Sequence, residues 1–163
     1  QGASGLRDGY DMAGEELDGS TEFFLGAVVT PGADAVEPQI MRMEKKMEAG
    51  ARFFQSQAVY DTDQFADFMQ RVEGLDVPVL GGIVLLKSGG MARFMNSNVS
   101  GVNVPDHLIK RFKTDSDKKK SEIAVEIAVE LIRDMKDLCD GVHIMPLGWD
   151  HLVPEIIERA GLN

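Results

Sequence analysis

The chain has 163 residues, 44% of them hydrophobic and 27% charged, with a formal net charge of -10. That is enough apolar material for one domain with its own core, and the acidity argues against nucleic acid and anionic membrane surfaces as partners, since both need basic patches. A single cysteine, Cys139, excludes an internal disulfide framework and a CxxC metal site; at the end of an apolar helix it reads as a small buried hydrophobe in a reducing, cytoplasmic setting.

Residues 1–20 are rich in glycine and acid and read as an N-terminal loop segment, with a helical turn near Gly14 to Leu17. They have neither the basic region nor the apolar core of a signal peptide. Lacking an initiator Met, the chain reads as a fragment or a processed piece. Residues 21–163 read as the folded domain, and no apolar run reaches the roughly 18 residues of a membrane span.

A repeating pattern then begins. An apolar run from Phe23 to Val29 ends in Thr30-Pro31-Gly32, and a helix follows over about Pro38 to Ala49, with Pro38 suited to its first turn. A second run, Phe53 to Val59, precedes a helix over Asp63 to Val72 whose start carries the capping-box spacing Asp61 to Gln64. The third run, Val77 to Leu86, ends in Lys87-Ser88-Gly89-Gly90; helices follow near Met91 to Asn96, near Pro105, and over Ser121 to Leu138. Lys118-Lys119-Lys120 reads as a solvated loop or helix start rather than a phosphate clamp. The fourth run, Val142 to Leu147, ends in Gly148-Trp149-Asp150, and a last helix, capped by Asp150, runs to Ala160.

The fold class is therefore α/β, with four β-α units and strands apolar on both faces, as expected of parallel strands covered by helices. Two architectures fit: an open doubly wound sheet, and half of a (β/α)8 barrel, since a full barrel takes about 250 residues. Both gather ligands at the C-terminal ends of the strands. Those ends are Thr30 to Gly32, Gln57 to Asp61, Lys87 to Gly90 and Leu147 to Asp150.

Two carboxamides in one apolar strand need a physical reason. A buried amide without partners costs roughly 1–3 kcal/mol. Strand alternation places Phe53, Gln55 and Gln57 on one face. Either local backbone satisfies the amides, or a heterocycle with its own donors and acceptors does. Gln55 is open to both readings; Gln57, nearer the strand's C-terminal end, is assigned to a ligand.

Other motifs are weaker. No Walker loop, GxGxxG or GxSxG elbow occurs, and Lys87 to Gly90 reads first as a plain turn and second as a phosphate-binding one. His107, His143 and His151 lack ligand spacing, so no metal site is expected, and His143 is read as packing or bonding locally. Met41, Met43 and Met47 read as helix-face packing, Phe94 as either core or a stacking aromatic, and Lys46 as a solvated charge.

The segments GAVVTPGADAVEPQIMRMEKKMEAGARFFQSQAVYD, GGIVLLKSGGMARFMNSNVSGVNVPDHLI and GVHIMPLGWDHLVPEII resemble, in order and spacing, the methylenetetrahydrofolate reductase family over about Phe23 to Leu162, and most of all its short bacterial and acetogen-type branch. The resemblance implies the second half of a flavin-binding (β/α)8 barrel, strands five to eight. It implies hydride transfer from reduced flavin, FAD by family habit with FMN as the alternative, to 5,10-methylenetetrahydrofolate, giving 5-methyltetrahydrofolate. NAD(P)H or an electron-transfer partner subunit would reduce the flavin. By the same resemblance Gln57 contacts the folate pterin and Phe94, through a one-residue gap, packs on the substrate. Thr30 lies beside the flavin, Gln39 and Arg42 face its outer half, and Lys46 serves its adenosine or phosphate side. Trp149 stands where the better-known branch has a folate-binding arginine. The family's general-acid glutamate and flavin-edge aspartate come from the first half of the barrel, so the expectation is that this chain alone holds no catalytic acid and is no competent reductase. It would be an oligomer or require its N-terminal half. The alternative is a non-catalytic half-barrel module that binds flavin or folate only with a partner chain; a third is an open α/β domain for another small ligand.

Overall fold

Four strands form one parallel sheet in the order in which they occur along the chain: β1 (Gly26–Val29), β2 (Phe53–Ala58), β3 (Val79–Val84) and β4 (Gly141–Met145). The computed structural model describes residues 2–162; Gln1 and Asn163 lie outside the described residues. The helices are α1 (Gly2–Arg7), α2 (Val36–Glu48), α3 (Thr62–Val72), α4 (Gly89–Asn98), α5 (Asp106–Arg111), α6 (Asp117–Met135) and α7 (Val153–Ala160). None of them is long and apolar enough to cross a membrane.

The strand order separates the two expected architectures. A doubly wound sheet reverses its order at a switch point; this one never does. Successive right-handed crossovers then put the connecting helices on one face of the sheet. The result is an α/β fold of four β-α units whose order is that of a segment of a (β/α)8 barrel.

Burial follows this geometry. Along β2 the side chains alternate half-buried and buried, with Phe54, Ser56 and Ala58 inward. Phe54 packs with Val29, Met43, Phe68, Val72 and Val79 beneath α2 and α3. A larger core joins Ile83 and Leu85 to Ile127, Ile132 and Met135 of α6 and Ile156 of α7. The expectation that helices cover both faces fails: on the opposite face Val28 is 52% exposed, and Phe53, Gln55, Gln57 and Leu80 are only half-buried. A strand facing helices on one side and a barrel lumen on the other is as apolar in sequence as one covered twice.

Helix starts follow their capping residues. Asp61 accepts from the Gln64 N–H at 3.0 Å, Ser88 from that of Met91 at 3.0 Å, and Ser116 opens α6. The lysine run falls in the first turn of α6, where Lys120 pairs with Asp117 at 3.0 Å. Four smaller expectations need correction. The N-terminal segment begins with a helix, α1, held by the Ser4 hydroxyl donating to the Ala49 carbonyl; its turn lies near Tyr10 and Glu16, which form an isolated bridge. Asp150 is not a cap but the first residue of a short 3-10 helix, Asp150–Leu152. Met41 is exposed, because only Met43 and Met47 fall on the packed side of α2. Cys139 is half-buried, its Sγ within 3.1 Å of the Gly141 carbonyl.

Candidate functional site

Away from a bulge, residues in register in a parallel ladder share a face. The pairs Val28 with Gln55, Gln55 with Leu80, and Gly82 with His143 therefore extend the uncovered face across the four strands. At its N-terminal end the Phe53 ring lies over Gly26, where a Cβ would collide with it, and stacks on Phe24 with centroids 5.6 Å apart. Further along lie Gln55 and Gln57. Among the described residues neither carboxamide has a hydrogen-bond partner, so local backbone does not satisfy them. His143 shares this face, half-buried, rather than packing in the helix-side core. No carboxylic acid occupies the face in β1 to β4; what it offers is flat apolar surface with the carboxamides of Gln55 and Gln57 and the His143 imidazole.

Just beyond β2 the chain turns inward. Tyr60 is buried, and its hydroxyl donates to the Val84 carbonyl at 2.8 Å. Burial pushes its phenol well above the usual tyrosine range, which keeps it neutral and structural. Asp61 is occupied as the cap of α3, as its spacing foretold. A cavity of about 10 Å³ between Pro31, Tyr60 and Gly101 has room for little more than one water.

The remaining expected residues fall into two groups. Gln39, Arg42 and Lys46 sit at i, i+3 and i+7 on α2 and so form one stripe. Lys46 is not simply solvated: its Nζ donates to the Val28 carbonyl at 2.5 Å, on the edge strand of the sheet. That contact places the Lys46 end of the stripe at the free edge of β1. Gln39 is half-buried and Arg42 exposed. Thr30 directly follows β1, and its methyl group lies against Gly101, where any Cβ would strike it. Phe94, on α4, is 62% exposed, which settles its placement against core packing.

Two features were not read from the sequence. Lys87, at the end of β3, donates to the Leu147 carbonyl and lies 5.3 Å from the centre of the Trp149 ring, tying the third and fourth strand ends together. Leu147 adopts a φ of 52°, a left-handed conformation that a leucine rarely takes. The second is a register shift in β2 beside Gln57. Adjacent glycines inside β3, Gly81 and Gly82, are the signal that could have flagged it.

Residues 13–161 match the family model described as Methylenetetrahydrofolate reductase. Over 174 aligned positions the chain is 27% identical to methylenetetrahydrofolate reductase 1 of Schizosaccharomyces pombe, covering 99% of this chain and 28% of that protein. It is 26% identical to methylenetetrahydrofolate reductase 2 of Saccharomyces cerevisiae, over 74% of this chain and 21% of that one. The chain thus spans only about a quarter of the length of these curated relatives. Among solved structures, an uncharacterized protein from Clostridium thermocellum that binds two copies of 5-methyl-5,6,7,8-tetrahydrofolic acid superposes with a TM-score of 0.55 at 20% identity, covering 85% of this chain and 53% of that one.

Proposed function

This chain belongs to the methylenetetrahydrofolate reductase family, and on that premise we propose that it forms the folate-facing part of a flavin-dependent reductase that converts 5,10-methylenetetrahydrofolate to 5-methyltetrahydrofolate. The observation that carries the reading is the unpartnered Gln57 carboxamide on the uncovered face, at the C-terminal end of β2. A pterin presents donors and acceptors along one edge of a flat ring. A carboxamide can donate to one and accept from the next, while apolar side chains and Phe94 bury the ring faces.

The α2 stripe suits an anionic, polar group. Gln39 offers a carboxamide, Arg42 an exposed guanidinium, and Lys46 an ammonium already fixed at the β1 edge. These three, with Thr30 at the strand end, would hold the outer half of FAD, or of the shorter FMN. When bound, such a flavin supplies the hydride that turns the methylene bridge into a methyl group, and is re-reduced by NAD(P)H or an electron-transfer partner. This chain's own residues bind and orient; Asp61 is engaged as a cap, the buried Tyr60 hydroxyl is committed to the Val84 carbonyl, and β1 to β4 place no carboxylic acid on the uncovered face.

The uncovered face and the free edges of β1 and β4 favour the companion reading, in which the segment works only against further strands from the same or another chain. A cytoplasmic setting suits its lone thiol. The test is the visible spectrum and reductase activity of the natural protein. A bound yellow chromophore that bleaches on reduction and reoxidises with 5,10-methylenetetrahydrofolate is expected. A colourless protein that binds no flavin and turns over no folate would overturn the reading.

A further inference from the structure

We propose that Ser56, acting with Gly82, is a positioning residue that aims the Gln57 carboxamide at its ligand; this deepens the reading of Gln57 as the pterin contact and rests on it. Ser56 is the only polar residue in the buried core among the described residues, 4% exposed. Its hydroxyl accepts from the Gly82 N–H at 2.7 Å and donates to the Gln57 carbonyl at 2.8 Å. A side-chain oxygen thus stands between a donor of β3 and an acceptor of β2.

The backbone shows the consequence. From Gln55 to Ala58 strand β2 advances three residues, while its partner advances two, from Leu80 to Gly82. The extra residue makes a bulge, which bends a strand and redirects the side chains beside it. Ladder bonding resumes beyond it, where the Val59 N–H donates to the Gly82 carbonyl at 2.9 Å. Gly82 has to lack a Cβ, because one would run into the Ser56 carbonyl oxygen and lie 3.0 Å from that of Gln57. Removing the hydroxyl would take its acceptor from the buried Gly82 N–H and a donor from the half-buried Gln57 carbonyl. The strand would relieve this by shifting register, and a one-residue slip turns Gln57 away from the uncovered face.

A double-mutant cycle on the natural protein tests this, with 5-methyltetrahydrofolate affinity as the readout and thermal midpoint measured alongside. Ser56→Ala should weaken binding about fivefold, the worth of one net hydrogen bond, Ser56→Thr should restore it, and Ser56→Ala should add nothing in a Gln57→Leu background. Additive losses, or a lowered midpoint with unchanged affinity, would reduce Ser56 to a structural role and overturn the proposal. An unchanged affinity in Gln57→Leu alone would remove the pterin-contact reading, and the positioning role with it. Should Ser56→Ala fail to fold, Ser56→Cys, of similar volume and a weak donor, carries the same cycle.

Discussion

Gln57 and Tyr60 lie three positions apart and meet opposite fates. Tyr60 is sealed in the helix-side core with its hydroxyl on Val84, while Gln57 keeps an unpartnered amide on the uncovered face. Tyr60→Phe should therefore cost about 1 kcal/mol of stability and leave folate affinity unchanged, as denaturant unfolding and a binding titration would show. The raised phenol also has a pH signature. A tyrosine whose folded pKa exceeds its unfolded value contributes stability that is complete below the unfolded value, about 10, and fades as pH rises above it. Wild-type protein should lose stability on the alkaline side more steeply than Tyr60→Phe; parallel curves would contradict this. The half-buried place of Gln57 in β2 was legible in the sequence, because strand alternation sets it apart from Phe54 and Ser56. The support it receives from Ser56 was not, since that depends on a hydroxyl reaching Gly82, 26 positions away.

At the scale of elements, the strands and helices that carry the site were legible where local chemistry marks both ends. α3 is a clear case: the Asp61 cap opens it, and Phe65, Phe68 and Val72 bury one side. Asp61→Ala should cost about 1 kcal/mol, and its absence from thermal melts would show that packing alone sets the helix start. α1 was not legible, because GASGLR has no apolar period and is held by a tertiary bond from Ser4. Gln39, Arg42 and Lys46 were singled out by the family resemblance alone, and the structure places them on α2 at i, i+3 and i+7. What the sequence did not show is the Lys46 bond to Val28, because it depends on where the strand edge lies. Lys46→Met should expose that edge carbonyl and make the chain more prone to strand-edge association, measurable as faster aggregation under mild heating.

For the molecule as a whole, the consequential feature is a parallel sheet clothed on one side only. Parallel sheets are otherwise covered on both faces, and a barrel lumen is the arrangement in which the second face is covered by the remaining strands of the same sheet. Taken alone, the 163 residues should self-associate through this face despite a net charge of -10; a stable monomer in sedimentation would contradict that. Sequence pattern could not reveal the bare face, because lumen-facing Val28, Phe53 and Leu80 are as apolar as core residues. The central claim is that this face receives folate through Gln57. The most direct measurement is the side-chain amide signal of Gln57 in the isotope-labelled natural protein, assigned by its loss in Gln57→Leu, during titration with 5-methyltetrahydrofolate. The account predicts a saturable shift of that signal together with that of Gln55. Binding that saturates while the Gln57 signal stays in place would contradict it.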